Sequence, residues 1–290
     1  MRRNRKILAA IVVLVFAVVA FAINLNRSSA GDHPTPRLAG SAVGSATGAQ
    51  PGVVVSVPPT APVGDDASGT LPAITPAVPG KAQVVSHGPA DSGAVALTFD
   101  DGYCDLCVAG LVAGVERTGV PVTFCPNGVY GPASWEKYAT RIKTLIGKGE
   151  VTICNHTWDH KDLTKMDAGR IRTELTRNED WIEKTFGVSS RPFFRPPYGY
   201  HNRIVDAIAA QLGYTQVLIW SGTLGDSVVQ TPDFVLNQMR MYARPGSIIL
   251  GHGNHPATAS VFDQLAAVGP QMGLRMVTVA ELLARPQSTP

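Results

Sequence analysis

Ala94-Val95-Ala96-Leu97-Thr98-Phe99-Asp100-Asp101-Gly102 joins a short apolar run to two acids and a glycine. The apolar part is too short for an ordinary helix and too continuous for a half-exposed strand, so it reads as a strand buried on both faces. Outward from it, similar runs occur at Val120–Cys125, Glu150–Cys154, Pro192–Phe194, Thr215–Trp220, Ser247–Leu250 and Arg275–Val277. Amphipathic stretches at 105–118, 134–148, 167–186, 201–211, 232–242, 258–270 and 279–284 separate or follow them. Strands alternating with helices imply a parallel sheet with a covered outer face. About 195 residues and seven β/α units suit a distorted (β/α) barrel better than two domains. Chemistry in such folds gathers at the C-terminal strand ends, where the two acids stand.

The residues before this domain have a different texture. Arg2, Arg3, Arg5 and Lys6 precede Ile7–Ile23, 17 residues without a charged or strongly polar side chain. A basic flank followed by an apolar core is an export signal. Ala20-Phe21-Ala22 fits a cleavage site, whereas the unbroken apolar run fits an uncleaved apolar helix anchored in the membrane with its basic end inside. Residues 1–27 are therefore expected to be a signal peptide or a signal anchor. Residues 31–90 hold ten of the 22 prolines and no Phe, Trp, Tyr or Cys. A segment so poor in apolar bulk cannot offset its ordering entropy, so 28–92 is expected to be a disordered linker and 93–285 the folded domain. The domain is expected outside the cytoplasm, secreted or anchored to the outer face of the cell membrane.

Charge excludes one class of partner. The chain carries a net charge of +3, but Arg2, Arg3, Arg5, Lys6 and Arg27 supply five positive charges before the first acid, leaving −2 for the rest. A nucleic-acid binder needs basic surface on its folded part, and nucleic acid is not an expected partner.

Several strand ends carry reactive side chains. In a regular strand Asp100 and Asp101 would face opposite sides, but a turn at Gly102 can re-aim the second acid; alternatively the pair caps the following helix. His156 and His160, in Asn155-His156-Thr157-Trp158-Asp159-His160, are four apart and share a face if the segment is a helical turn. Two imidazoles plus a carboxylate is the donor set of a catalytic zinc or similar ion. In Arg195-Pro196-Pro197-Tyr198-Gly199 the prolines have no N–H, so the Tyr198 amide is the first free donor. Arg195 follows Phe193-Phe194 and calls for a carboxylate partner, for which Asp226 is one candidate. His252, between Gly251 and Gly253, is a poor packing residue and a good proton carrier.

Thr98-Phe99-Asp100-Asp101-Gly102, His156-Thr-x-x-His160, Arg195-Pro-Pro-Tyr-Gly199, Trp220-Ser…Asp226 and Leu250-x-His252 together resemble the five motifs of the polysaccharide deacetylase family, the NodB-homology carbohydrate esterases. The resemblance spans 93–285. It implies that Asp101, His156 and His160 hold one divalent metal ion, Zn2+ first, with Co2+ or another ion as alternatives. It makes Asp100 the general base, His252 the general acid and the Tyr198 amide a donor to the oxyanion. Arg195 would orient Asp100, and Asp226 would hold Arg195 or tune His252. The implied activity is hydrolytic removal of N-acetyl groups from an acetylated glycan, peptidoglycan or another N-acetylglucosamine polymer first. Chitin oligomers and acetylxylan are alternatives, as is a catalytically impaired carbohydrate-binding protein. A glycosidase fits poorly, because its two carboxylates flank the bond about 5–10 Å apart.

Two departures stand out. The family often places tryptophan after the motif-four acid, where this chain has Ser227, and an aromatic pair after strand two, where Phe124 precedes Cys125. The four cysteines, 104, 107, 125 and 154, follow or sit at the ends of the first three strands. Export favours their oxidation; of the three full pairings, the one that joins Cys125 to Cys154 suits neighbouring parallel strands. Non-reducing peptide mapping of the exported protein should therefore show two disulfides, and four freely alkylated thiols would refute this.

Overall fold

The computed structural model describes residues 81–284. The expected export segment and most of the expected linker lie outside the described residues.

Among the described residues, nine strands and eight α-helices make an α/β fold in which every strand pair is parallel. The strands are β1 (Gln83–Val85), β2 (Ala94–Asp101), β3 (Val122–Pro126), β4 (Val151–Ile153), β5 (Phe193–Phe194), β6 (Gln216–Leu218), β7 (Gly222–Thr223), β8 (Ile248–His252) and β9 (Arg275–Val277). The helices are α1 (Asp105–Thr118), α2 (Ala139–Gly147), α3 (Ala168–Phe186), α4 (Arg203–Gln211), α5 (Pro232–Tyr242), α6 (Pro256–Ser260), α7 (Phe262–Gln271) and α8 (Val279–Leu283).

The expected barrel is not closed. One sheet runs β4-β3-β2-β8-β7, with β9 also on β2, and the other runs β1-β6-β5. They meet through two isolated bridges, a parallel one between Asn155 and Phe194 and an antiparallel one between His87 and Ser247. Proline explains the gap. Pro192, Pro196 and Pro197 bracket Phe193-Phe194 and lack the N–H a longer ladder requires, so β5 shrinks to two residues. The folded part also starts earlier than expected. Gln83–Val85, assigned above to the linker, pairs along Gln216–Leu218 of β6.

The period of two along each strand divides the core and positions the site. On β2, Val95, Leu97 and Phe99 pack outward in the helix-covered core, with Val108, Leu111 and Phe262 among its members. Ala94 and Ala96 turn inward, toward Val85, Phe193, Leu218, Ile248 and Val277. Asp100 belongs to this inner series, as do Arg195 two residues after Phe193 and His252 four after Ile248. A chain register that fills the interior with small and branched apolar groups therefore delivers charged groups at its upper end. Cys125 and Cys154 lie in the same inner cluster and are disulfide-bonded across β3 and the end of β4, while Cys104 pairs with Cys107.

Candidate active site

The acid pair is re-aimed at Asp101 itself, whose φ is 64°, with Gly102 following at 93°. Aspartate tolerates this left-handed conformation better than most residues. Gly102 cannot be replaced in kind, since a Cβ there would fall 2.2 Å from the Trp135 indole. That indole Nε1 donates to the Asp101 carbonyl at 2.7 Å. The helix-capping alternative falls away, because Cys104 is the N-cap of α1.

The two carboxylates have separate partners. Asp100 Oδ1 accepts from Arg195 Nη1 at 2.7 Å, and the same nitrogen donates to Thr98 Oγ1 at 2.8 Å. Asp101 Oδ2 accepts from Asn254 Nδ2 at 2.7 Å. Asp101 Oδ1 is buried without a hydrogen-bond partner, although the Nε2 atoms of His156 and His160 each lie 3.3 Å away. At His156, Nδ1 lies 2.8 Å from the Arg195 carbonyl and donates to it, so in the neutral imidazole Nε2 carries the lone pair.

The histidines do not converge through a helical turn, as their spacing suggested. Residues 155–160 form an irregular loop with φ of 68° at Thr157 and 58° at His160. Asn155 Oδ1 accepts from the Thr157 amide, Asn127 Nδ2 donates to the carbonyls of His156 and Thr157, and Glu174 accepts from the amides of Trp158 and Asp159. These bonds replace the helical ones and hold two ring centroids 4.9 Å apart.

Burial, and then the neighbouring His156, pushes His160 down to about 4, leaving it a neutral donor. Burial raises the pKa of Asp101, but the contact with His156 and the other nearby imidazoles outweigh it and hold the carboxyl well below its usual range. An anionic oxygen without a donor, faced by two imidazole nitrogens, with these ligand atoms within 4.8 Å of one another, fits a divalent cation.

Across the cavity, His252 Nδ1 lies 2.9 Å from Asp226 Oδ1, and Asp226 Oδ2 accepts from the His252 amide and from Thr258 Oγ1. Of the two roles open to Asp226, its contact is with His252, and Arg195 pairs with Asp100. Burial disfavours the His252 cation, but the Asp226 bond and the charge of Asp100 more than offset it, raising its pKa. A cavity of about 500 Å³ is bounded by Asp100, Asp101, His156, His160 and His252 together with Tyr198, Trp220 and Ser227. Its aromatic lining thus includes Trp220 despite serine at 227. Asn254 and Thr258 carried no motif signal, and Thr98, though part of the first motif, was assigned no role; their contacts with Asp101, Asp226 and Arg195 reveal them.

A model of the polysaccharide deacetylase family matches residues 87–217. A peptidoglycan-N-acetylglucosamine deacetylase of Bacillus cereus is 30% identical over 203 residues, covering 67% of this chain and 70% of that protein. The chain belongs to the polysaccharide deacetylase family. A solved peptidoglycan N-acetylglucosamine deacetylase is 25% identical, with a TM-score of 0.62 over 71% of this chain and 95% of its own. A pseudoenzyme of this esterase family from Bacillus anthracis, 20% identical, also gives a TM-score of 0.62, over 70% of this chain and 69% of its own. That likeness shows the fold alone.

The Asp100–Arg195 pair is wholly buried, at 2% and 0% exposure. Arg195→Met strands the carboxylate and should lower the unfolding free energy by about 3–5 kcal/mol, measured by urea titration; an unchanged midpoint would contradict the pairing.

Proposed function

We propose that the protein hydrolyses N-acetyl groups from a glycan outside the cytoplasm, peptidoglycan or another N-acetylglucosamine polymer, using a divalent ion held by Asp101, His156 and His160. Zinc is the first expectation, because two imidazoles and one carboxylate suit it. The observation that carries this reading is the unpartnered Asp101 Oδ1 facing two Nε2 atoms, beside a second carboxylate that is separately held. The Bacillus cereus relative supports the choice of glycan. Residues 1–27 as an export signal or anchor, the proline-rich segment as a tether and the domain from β1 onward as the catalytic unit complete the proposal. The anchor, if retained, makes the membrane a second partner.

When bound, the cation supplies Lewis-acid polarisation and lowers the pKa of the attacking water. Asp100 takes a proton from that water as its oxygen attacks the acetyl carbon. Arg195 fixes Asp100 Oδ1, so Oδ2 is the basic oxygen; it lies 3.6 Å from His156 Nε2, at the edge of the ligand set. The Tyr198 amide, placed by two prolines, donates to the carbonyl oxygen as negative charge develops there. His252 turns Nδ1 to Asp226 and keeps Nε2 for the leaving nitrogen. As the C–N bond breaks, His252 delivers its proton to that nitrogen, giving acetate and a free amine. Asp226 keeps the imidazole protonated and oriented for this step.

The glycan-binding alternative without turnover has Ser227 as its basis, and the presence of Asp100, Asp101, His156, His160 and His252 counts against it. Asp100→Asn separates the readings. It removes the base and no ligand, so zinc stoichiometry should persist while acetate release falls to background; near-full activity would overturn the assignment of the base. His252 gives a pH signature with a definite sign. Its raised pKa keeps the acid protonated, and activity falls as pH rises through that value. Asp226→Asn removes a raising influence, so the alkaline limb of kcat/KM should move to lower pH; an unmoved limb would show that another group is the acid.

A further inference from the structure

Asn254 follows β8 by two residues and is 6% exposed. Both ends of its amide are used on a single turn. Nδ2 donates to Asp101 Oδ2 at 2.7 Å, and Oδ1 accepts from the Gly102 amide at 3.1 Å. The approach that permits this is close: a Cβ on Gly253 would lie 3.1 Å from the Gly102 Cα, and the Gly253 amide donates to the Asp100 carbonyl at 2.9 Å.

We infer that Asn254 is a positioning residue for the metal site, fixing Asp101 so that one oxygen alone is presented to the cation. The inference rests on the metal reading above and extends it to a residue outside the ligand set. Three observations carry it. Asp101 Oδ2 is occupied by Asn254 while Oδ1 is without a donor, which distinguishes the two oxygens. Asp101 sits at a φ of 64°, so its backbone needs an external hold, and the Gly102 amide bond to Asn254 supplies one at the next residue. Finally, the partner is neutral. Asp100 is paired with a guanidinium, which would repel an incoming cation; an amide orients Asp101 without cancelling any of the charge that attracts the ion.

Partners that orient a ligand by hydrogen bonding are typically worth about 10–100-fold in metal affinity. Zinc affinity of the purified full-length chain would be measured by competition with a chromogenic chelator, alongside Asn254→Ala, Asn254→Leu and Thr258→Val. The leucine variant keeps the volume and drops donor and acceptor together; the valine variant disturbs Asp226 instead. Circular dichroism of the metal-free proteins reports the fold. Asn254→Ala and Asn254→Leu should stay folded, bind zinc about 10–100-fold more weakly and show an altered visible spectrum with cobalt, while Thr258→Val keeps wild-type affinity. Folded Asn254 variants with affinity within about twofold of wild type would overturn the inference and leave the metal reading standing. So would unfolding of both Asn254 variants before metal is added, which would give the residue to the fold. Wild-type protein that binds no zinc would overturn the metal reading and this inference together.

Discussion

Two carboxylates on consecutive residues, both buried, cannot share one environment without strong mutual repulsion. The structure separates them by backbone and by partner. Asp100 stays in the strand register and points into the interior, where Arg195 neutralises it. Asp101 leaves the register through a left-handed φ and turns toward His156 and His160. The surrounding elements follow from that split. Gly102 and Gly253 lack side chains where the two chain segments come close, and Trp135 and Ser134 bond the carbonyls of Asp101 and Gly102.

The same split links the fold to the chemistry. Inner-facing positions on β2, just past β5 and on β8 carry Asp100, Arg195 and His252 at neighbouring heights, because each strand alternates faces and all run in parallel. His252 then meets Asp226 from the segment after β7. Asp100 and His252 thus each have one atom fixed by a charged partner and another facing away from it, Oδ2 on Asp100 and Nε2 on His252. In the proposed mechanism these are the base and the acid, held on separate strands.

Much of this was legible in the sequence. Continuous apolar runs alternating with amphipathic stretches gave the parallel α/β class, and the reactive residues clustered where those runs end. Neighbouring strands made Cys125–Cys154 a natural pair, and it is formed. The short elements were not legible. β1 carries no signal of its own; three residues in a proline-rich stretch become a strand only because β6 offers them an edge. The interrupted barrel depends on where Pro192, Pro196 and Pro197 remove donors. The spacing of His156 and His160 was read rightly as a pair and wrongly as a helical turn, since φ values of 68° and 58° at Thr157 and His160 have no marker in threonine or histidine. Asn254 was invisible because its meaning lies in a contact 153 residues away.

The central claim is that this site is a metal-dependent deacetylase centre. Its most direct test is acetate release by the full-length protein from N-acetylglucosamine oligomers and from peptidoglycan, before and after removal of bound metal and again after zinc is returned. A metal-dependent deacetylase centre releases acetate from at least one of these polymers, loses that activity on stripping and recovers it with zinc. Acetate release that persists undiminished in fully stripped protein, or none from either polymer with zinc bound, would contradict it.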